Sequence, residues 1–180
     1  GVTLIELMIT LVVLSILVAI AAPNFISVIE QNRIKASLQE FSVSLKYARS
    51  EAVKRSSSVT ICASADQASC TGTWADGWAI FNDIDGVGDL DVGTDTLLRV
   101  HDGITDGHSL TFDGSGGMRI TFSSRGYAAG QNGTIKMCGK DGNALNARGM
   151  ILQSTGSLRF SIDSSGNSIY ENAAGTDFSC

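Results

Sequence analysis

The chain has 180 residues and a formal net charge of −5, and 43% of its residues are hydrophobic while only 7% are aromatic. That length accommodates one long helix and one domain with a buried core, which this composition predicts to be aliphatic. The negative charge argues against a protein that holds nucleic acid by its overall charge.

The N-terminal segment is apolar over an unusual length. Residues Leu7 to Ile29 carry no ionisable side chain, and Glu6 is the only charged residue before Glu30. Such a run is long enough to cross a bilayer. A secretory signal peptide would start with basic residues and have a shorter apolar run, and neither feature is present. We therefore expect a membrane-anchoring helix with one carboxylate at its edge.

The first eight residues, GVTLIELM, resemble the processing site of the type IV pilin family, which reads G-F-T-L-I-E-L in most members. The resemblance implies that a prepilin peptidase cuts after Gly1, that Val2 becomes an N-methylated mature N-terminus, and that Glu6 is the signature glutamate. Pro23 stands where pilins place the proline that kinks their helix. No basic leader precedes Gly1, so we expect the chain to start at or next to the cut.

The resemblance also implies an assembly role for Glu6. An ionised carboxylate in hydrocarbon costs about 3 kcal/mol, so it needs a partner there. The α-amino group of Val2 on a neighbouring subunit is the partner that the pilin family suggests. The alternative, which we expect for the free subunit in the membrane, is that Glu6 lies among the lipid headgroups and is solvated.

After residue 29 the apolar residues become periodic. They follow the spacing of one helical stripe, which predicts an amphipathic helix that packs against a sheet. We expect one helix from about Thr3 to Arg55, with a bend near Pro23. Residues 1–29 would form its membrane and filament-core half, and residues 30–55 its amphipathic half. The stripe consists of Leu38, Phe41, Leu45, Ala48 and Ala52.

Residues 56–180 read as a β-rich domain. Short alternating segments are separated by turn signals, so the predicted fold is α+β and pilin-like, with the long helix packed on an antiparallel β-domain. In the last segment Leu158, Phe160 and Ile162 are expected to share one face. The predicted strands are Val59–Cys62, Trp78–Phe81, Thr96–His101, His108–Phe112, Met118–Phe122, Thr134–Cys138, Gly149–Gln153 and Leu158–Ile162.

All four cysteines lie in this domain. An even number in an exported domain predicts disulfides and an oxidising compartment. Four cysteines allow three pairings, of which we favour Cys62–Cys70, a short loop, and Cys138–Cys180, which would attach the C-terminus to the sheet. A zinc site is disfavoured, because there is no C-x-x-C pair and the histidines are not near the cysteines.

Two further segments indicate which branch of the pilin family the chain resembles. Residues 48–52, ARSEA, and residues 74–78, WADGW, are similar to the branch that joins type II secretion pseudopilin H with the FimT/FimU-like minor pilins. This implies a minor pilin of a type IV pilus, or alternatively a pseudopilin H of a type II secretion system. The expected partners are other pilins or pseudopilins, and the expected location is the bacterial inner membrane, single-pass with a periplasmic C-terminal domain, and then the filament.

The charges are unevenly distributed. Residues 66–113 carry ten aspartates and one arginine, whereas residues 114–162 carry six basic residues and one aspartate. Facing loops of opposite sign, or solvated loops, would explain this pattern. Alternating carboxylates also suggest a calcium loop, although the EF-hand register is missing and Asp-Gly pairs form turns without metal. The calcium candidates are Asp83, Asp85, Asp89 and Asp91.

A third interpretation is a minor pilin that binds DNA for natural transformation. Such pilins use a Gly-Arg-x-Arg element, but residues 156–159 read GSLR, so the first arginine is a serine here. No enzyme or cofactor is expected, because His101 and His108 accompany no nucleophile motif and residues 114–117 form neither a nucleophile elbow nor a P-loop. The candidate phosphate contacts are Arg125, Lys136, Lys140, Arg148 and Arg159.

Overall fold

The computed structural model describes residues 1–91, 93–104 and 107–180, except for the side chains of residues 20–24. The α-helix α1 runs over Leu4–Arg55, close to the predicted range, and at 1.5 Å per residue it is about 80 Å long. It ends where Ser56 adopts the left-handed conformation, with φ of 53°. The bend predicted near Pro23 falls where the side chains lie outside the described part of the structure, and it stays a prediction. Within the described part of the chain, no helix reaches the length and apolarity that crossing a membrane requires.

The described residues after α1 form eight antiparallel strands in two sheets. The strands are β1 (Ser58–Ala63), β2 (Gly77–Asp83), β3 (Thr96–Asp102), β4 (Ser109–Phe112), β5 (Arg119–Phe122), β6 (Gly133–Cys138), β7 (Arg148–Leu152) and β8 (Leu158–Phe160). Sheet one has the order β3-β2-β1-β5, and sheet two has the order β4-β6-β7-β8. Every predicted strand is confirmed to within two residues at each end. The division into two sheets was not predicted.

A single stripe of α1 packs against the inner faces of both sheets. The predicted stripe residues are buried, and Ile34 extends the stripe by one turn. The expectation of an aliphatic core is wrong at its centre. Phe41 of α1 meets Trp74 and Trp78 edge to face, with ring centroids 5.2 and 5.0 Å apart. Three large aromatic side chains therefore meet where the helix packs against sheet one.

The outer face of each sheet is covered by an irregular segment. Over sheet one lies the acidic loop, which we define as residues 84–95 and in which residue 92 lies outside the described residues. Its Leu90 packs on Cys62, Ala79 and Phe81. Over sheet two lies the C-terminal segment, residues 163–180.

The C-terminal segment is attached at several points. Phe178 and Tyr170 pack on the outer face of sheet two, and the Ala173 amide donates to the Thr134 hydroxyl at 3.1 Å. Gly149 makes room for this cover, because a Cβ there would lie 2.5 Å from the ring of Phe178. The outer face of sheet two is therefore an interior surface of the domain.

The two disulfides join Cys62 to Cys70 and Cys138 to Cys180, the pairing favoured from the sequence. The first closes a short loop beside sheet one, next to Leu90 of the acidic loop. The second closes a 42-residue separation and fixes the end of the C-terminal segment to β6. Each covered face thus has a disulfide of its own.

Strand β8 differs from its predicted role. Phe160 and Ile162 share a face as expected, but both are exposed, whereas Ser161 between them is buried. They line an open groove of about 590 Å³ between α1 and sheet two, together with Leu38 and Tyr170. These two side chains therefore lie at the open edge of sheet two and not in the core.

Candidate assembly surface

The first half of α1 presents an apolar surface that its own chain leaves uncovered. Its described large apolar side chains, from Leu4 to Ile29, are 40–78% exposed. In the second half, the stripe from Ile34 to Ala52 is buried by the β-domain. One continuous helix therefore has a second half whose apolar stripe is buried by the β-domain and a first half whose apolar side chains no described residue covers.

Glu6 caps the start of α1. Thr3 is the N-cap residue; its Oγ1 accepts a hydrogen bond from the Glu6 amide at 3.3 Å, and its own amide donates to Glu6 Oε2 at 3.5 Å. This reciprocal arrangement is a capping box, which satisfies two amides that the helix itself leaves free. Our sequence interpretation missed this role of Thr3, although the spacing Thr-x-x-Glu is its signature. Val2, beside the box, is exposed.

Polar contacts hold the second half of α1 to the domain. His108 Nε2 lies 3.0 Å from Glu30 Oε1, and His101 Nε2 lies 2.7 Å from Glu40 Oε1. The His101 ring also stacks on Trp78, with centroids 4.0 Å apart. His101 lies in β3 and His108 directly precedes β4, and each contacts a glutamate of the helix. They therefore help to position α1 on the domain.

The acidic loop is arranged differently from the calcium site considered above. Asp89 forms an ion pair with Arg119 at 2.6 Å, so a loop from the acidic half of the domain contacts a strand from the basic half. Among the described residues, the carboxylates that lie together are those of Asp83, Asp85 and Asp95. Asp95 was not among the candidates, because it stands apart from the Asp-Gly pattern in the sequence and the turn of the loop brings it back.

The candidate DNA contacts do not form one exposed patch. Arg148 is only 9% exposed, and its guanidinium donates to the carbonyl oxygens of Leu145 and Ala147 and to Gln31 Oε1. Its assignment as a phosphate contact is therefore corrected: it braces the domain against α1. Lys136 donates to the carbonyl of Ser179 in the C-terminal segment.

The remaining candidates for phosphate contact, Arg125, Lys140 and Arg159, are exposed. Arg159 lies in β8, and Lys140 follows β6. With Arg148 buried and Lys136 engaged, the structure offers fewer free cations than the sequence pattern suggested. The DNA-binding interpretation thus loses Arg148 as a phosphate contact.

Comparison with known families identifies the family of this chain. A family model described as type II transport protein GspH matches residues 37–168, well over half of the chain. The chain belongs to the GspH family. The resemblance to pilin-like minor pilins and pseudopilins is thereby confirmed. The match begins after the apolar run, so the GspH assignment is independent of the N-terminal processing motif.

Solved structures share the fold of this GspH-family chain. The type IV minor pilin FimU of Pseudomonas aeruginosa PAO1 is 23% identical, with a TM-score of 0.58 over 74% of this chain and 91% of FimU. The minor pseudopilin EpsH from the type 2 secretion system of Vibrio cholerae is 17% identical, with a TM-score of 0.51 over 71% of this chain and 95% of EpsH. Both similarities show the fold. No curated protein matches the chain.

Proposed function

We propose that the chain is a minor pilin of a type IV pilus, acting in the tip complex that initiates assembly. The observation that supports assembly into a filament is the unequal burial of α1, whose apolar first half is exposed while its second half is enclosed. An apolar surface of that size needs lipid or other apolar helices around it. The subunit would therefore wait as a single-pass protein in the inner membrane, with its β-domain periplasmic, and then pack among the helices of other pilins.

Glu6 would commit the subunit to the filament. In the single chain its carboxylate caps the helix through Thr3. After a prepilin peptidase removes Gly1, the N-methylated amine of Val2 on a neighbouring subunit would offer a positive charge to this carboxylate. A charge pair shielded from water is stronger than a solvated one, so pairing would favour entry into the filament over the free state.

Substitutions at Glu6 and Thr3 separate charge pairing from helix capping. We expect Glu6→Ala to reduce incorporation into filaments by tenfold or more, because it removes the carboxylate. Thr3→Ala removes the capping hydroxyl but keeps the charge, so its incorporation should stay close to that of the native chain. The measurement is the amount of subunit in sheared filaments relative to the amount in membranes, by immunoblot.

Intact disulfides and protease resistance of the β-domain serve as the folding control in this experiment. Glu6→Gln keeps the shape of the side chain and removes the charge, so it should behave like Glu6→Ala. Normal incorporation of Glu6→Gln would refute charge pairing. Equal losses in Thr3→Ala and Glu6→Ala would assign the role of Glu6 to capping instead.

A pseudopilin of a type II secretion system is the second candidate, and the description of the matching family model favours it. The same exposed helix would serve a pseudopilus, because both filaments need an apolar core. Deletion of the gene distinguishes the two: loss of piliation and twitching with normal secretion supports the pilus, and loss of secretion with normal piliation supports the pseudopilus. Loss of DNA uptake with normal piliation would support the DNA-binding alternative.

A further inference from the structure

Asp83 is a buried carboxylate with an unused oxygen. It is the last residue of β2, and it lies on the outer face of sheet one beneath the start of the acidic loop, with only 2% of its surface exposed. Its Oδ2 accepts a hydrogen bond from Thr60 Oγ1 at 2.8 Å. Its Oδ1 is buried and has no hydrogen-bond partner among the described residues. Buried acceptor oxygens normally have a hydrogen-bond partner or another ligand, so this oxygen is available to bind one.

Two further carboxylates of the acidic loop converge on Asp83. One oxygen from each of Asp83, Asp85 and Asp95 lies within 4.8 Å of the others. Arg119, the arginine that contacts this loop, is paired with Asp89 rather than with these three. Three like charges this close repel one another strongly unless a cation lies among them. The repulsion among the three carboxylates and the unpaired Oδ1 of Asp83 therefore both favour a bound cation at this place.

The backbone of the acidic loop holds two of these carboxylates in place. Asp95 accepts hydrogen bonds from the amides of Ile84 at 2.9 Å and Asp91 at 3.1 Å, and Asp85 accepts one from the Val87 amide at 3.1 Å. Asp95 directly precedes β3, so the group joins the two ends of the loop at its base. The carboxylates are thus positioned before any ligand arrives.

We propose that Asp83, Asp85 and Asp95 bind a calcium ion. The donors are all oxygen, which hard divalent cations prefer, and Ca²⁺ completes a shell of six to eight oxygens with backbone carbonyls and water where Mg²⁺ requires a stricter octahedron. The ion would close the base of the acidic loop and fix it over sheet one. It would also fix the exposed Ile84 and Val87, so calcium would set the surface that this loop presents.

Calcium titration of the full chain in detergent, stripped beforehand with chelator, tests the proposal. Calorimetry with calcium chloride should show saturable binding of one ion per chain, with weaker binding of magnesium chloride. We expect Asp83→Asn and Asp85→Asn each to weaken calcium binding by at least tenfold. Asp91→Asn is the matched control, because it removes the same charge from the same loop outside the triad, and it should bind within threefold of the native chain.

A thermal melt provides the second readout. Because a ligand of the folded state raises the melting temperature, calcium should stabilise the native chain and Asp91→Asn but not the triad variants. Asp85 is exposed, so Asp85→Asn keeps the test valid if Asp83→Asn fails to fold. The proposal is overturned if the native chain shows no saturable binding. Equal losses in Asp85→Asn and Asp91→Asn would also overturn it, because the loop would then attract cations only by its general charge.

Discussion

The outer faces of the two sheets are both covered by irregular segments, but by segments of opposite character. Over sheet two, the C-terminal segment inserts Phe178 against Gly149 and is fixed by the Cys138–Cys180 disulfide. Over sheet one, the described part of the acidic loop contributes the half-buried side chain of Leu90, and five aspartates occur from residue 83 to residue 95.

The two covers are held in place by different kinds of interaction. Apolar burial and a long-range disulfide act at all salt and calcium concentrations. A cover that depends on an exposed ion pair and on closely spaced carboxylates changes with salt and with bound cations. We therefore expect the C-terminal segment to be a permanent part of the domain and the acidic loop to be its adjustable part.

The largest expected effect comes from removing the disulfide over sheet two. Replacing Cys138 and Cys180 by serine frees a 42-residue separation and should lower the free energy of unfolding by about 4 kcal/mol. Replacing Cys62 and Cys70, which are 8 residues apart, should cost about 2.5 kcal/mol. Urea denaturation of the full chain in detergent measures both. A larger loss from removing the short-loop disulfide would contradict this order of the two disulfides.

The next effect concerns the apolar anchors. Phe178→Ala should cost about 3 kcal/mol, because it empties the space above Gly149, whereas Leu90→Ala should cost about 1 kcal/mol from its half-buried position. Phe25→Ala, at an exposed position of α1, is the control and should leave domain stability unchanged. Similar losses at Phe178 and Leu90 would mean that the covers stabilise their sheets equally.

The smallest effect is a dependence on acid. The amide of Ala68, the hydroxyl and amide of Ser69 and the Ser64 hydroxyl donate to Asp66, and these bonds lower the pKa of its carboxyl well below the usual range. A lowered folded-state pKa stabilises the protein above the unfolded-state value, near pH 4, and this contribution disappears as the pH falls further. Stability should therefore decline below about pH 4, and less steeply in Asp66→Asn. Identical profiles for the two proteins in melts at pH 2–7 would exclude Asp66 as a cause.

Local patterns predicted much of this molecule. The 3.6-residue spacing of Leu38, Phe41 and Leu45 identified the face of α1 that is buried, because side-chain direction in a helix follows from sequence position. Alternation and turn residues located the strands for the same reason. The processing roles of Gly1 and Val2 remain predictions.

The errors arose where distant segments meet. The sequence suggested that Arg148 is a free cation. In the structure its guanidinium donates hydrogen bonds to Gln31 of α1 and to a carbonyl oxygen beside β7. In the sequence Asp95 is separated from Asp83 by the acidic loop, but in the structure the two ends of that loop bring their carboxylates together. Aromatic content gave no indication that Trp74 and Trp78 would meet Phe41 in the centre of the core.

By itself, the sequence determined the long helix with its apolar and amphipathic halves, the approximate strands, and the glutamate at the start of the apolar run. These depend on periodicity and composition within short windows. Tertiary structure alone decided that the strands divide into two sheets around one helical stripe, that the C-terminus covers one sheet, and that three aspartates converge over the other. These features depend on which surfaces pack against each other. Contacts between residues far apart in the chain produce no periodic pattern in the local sequence.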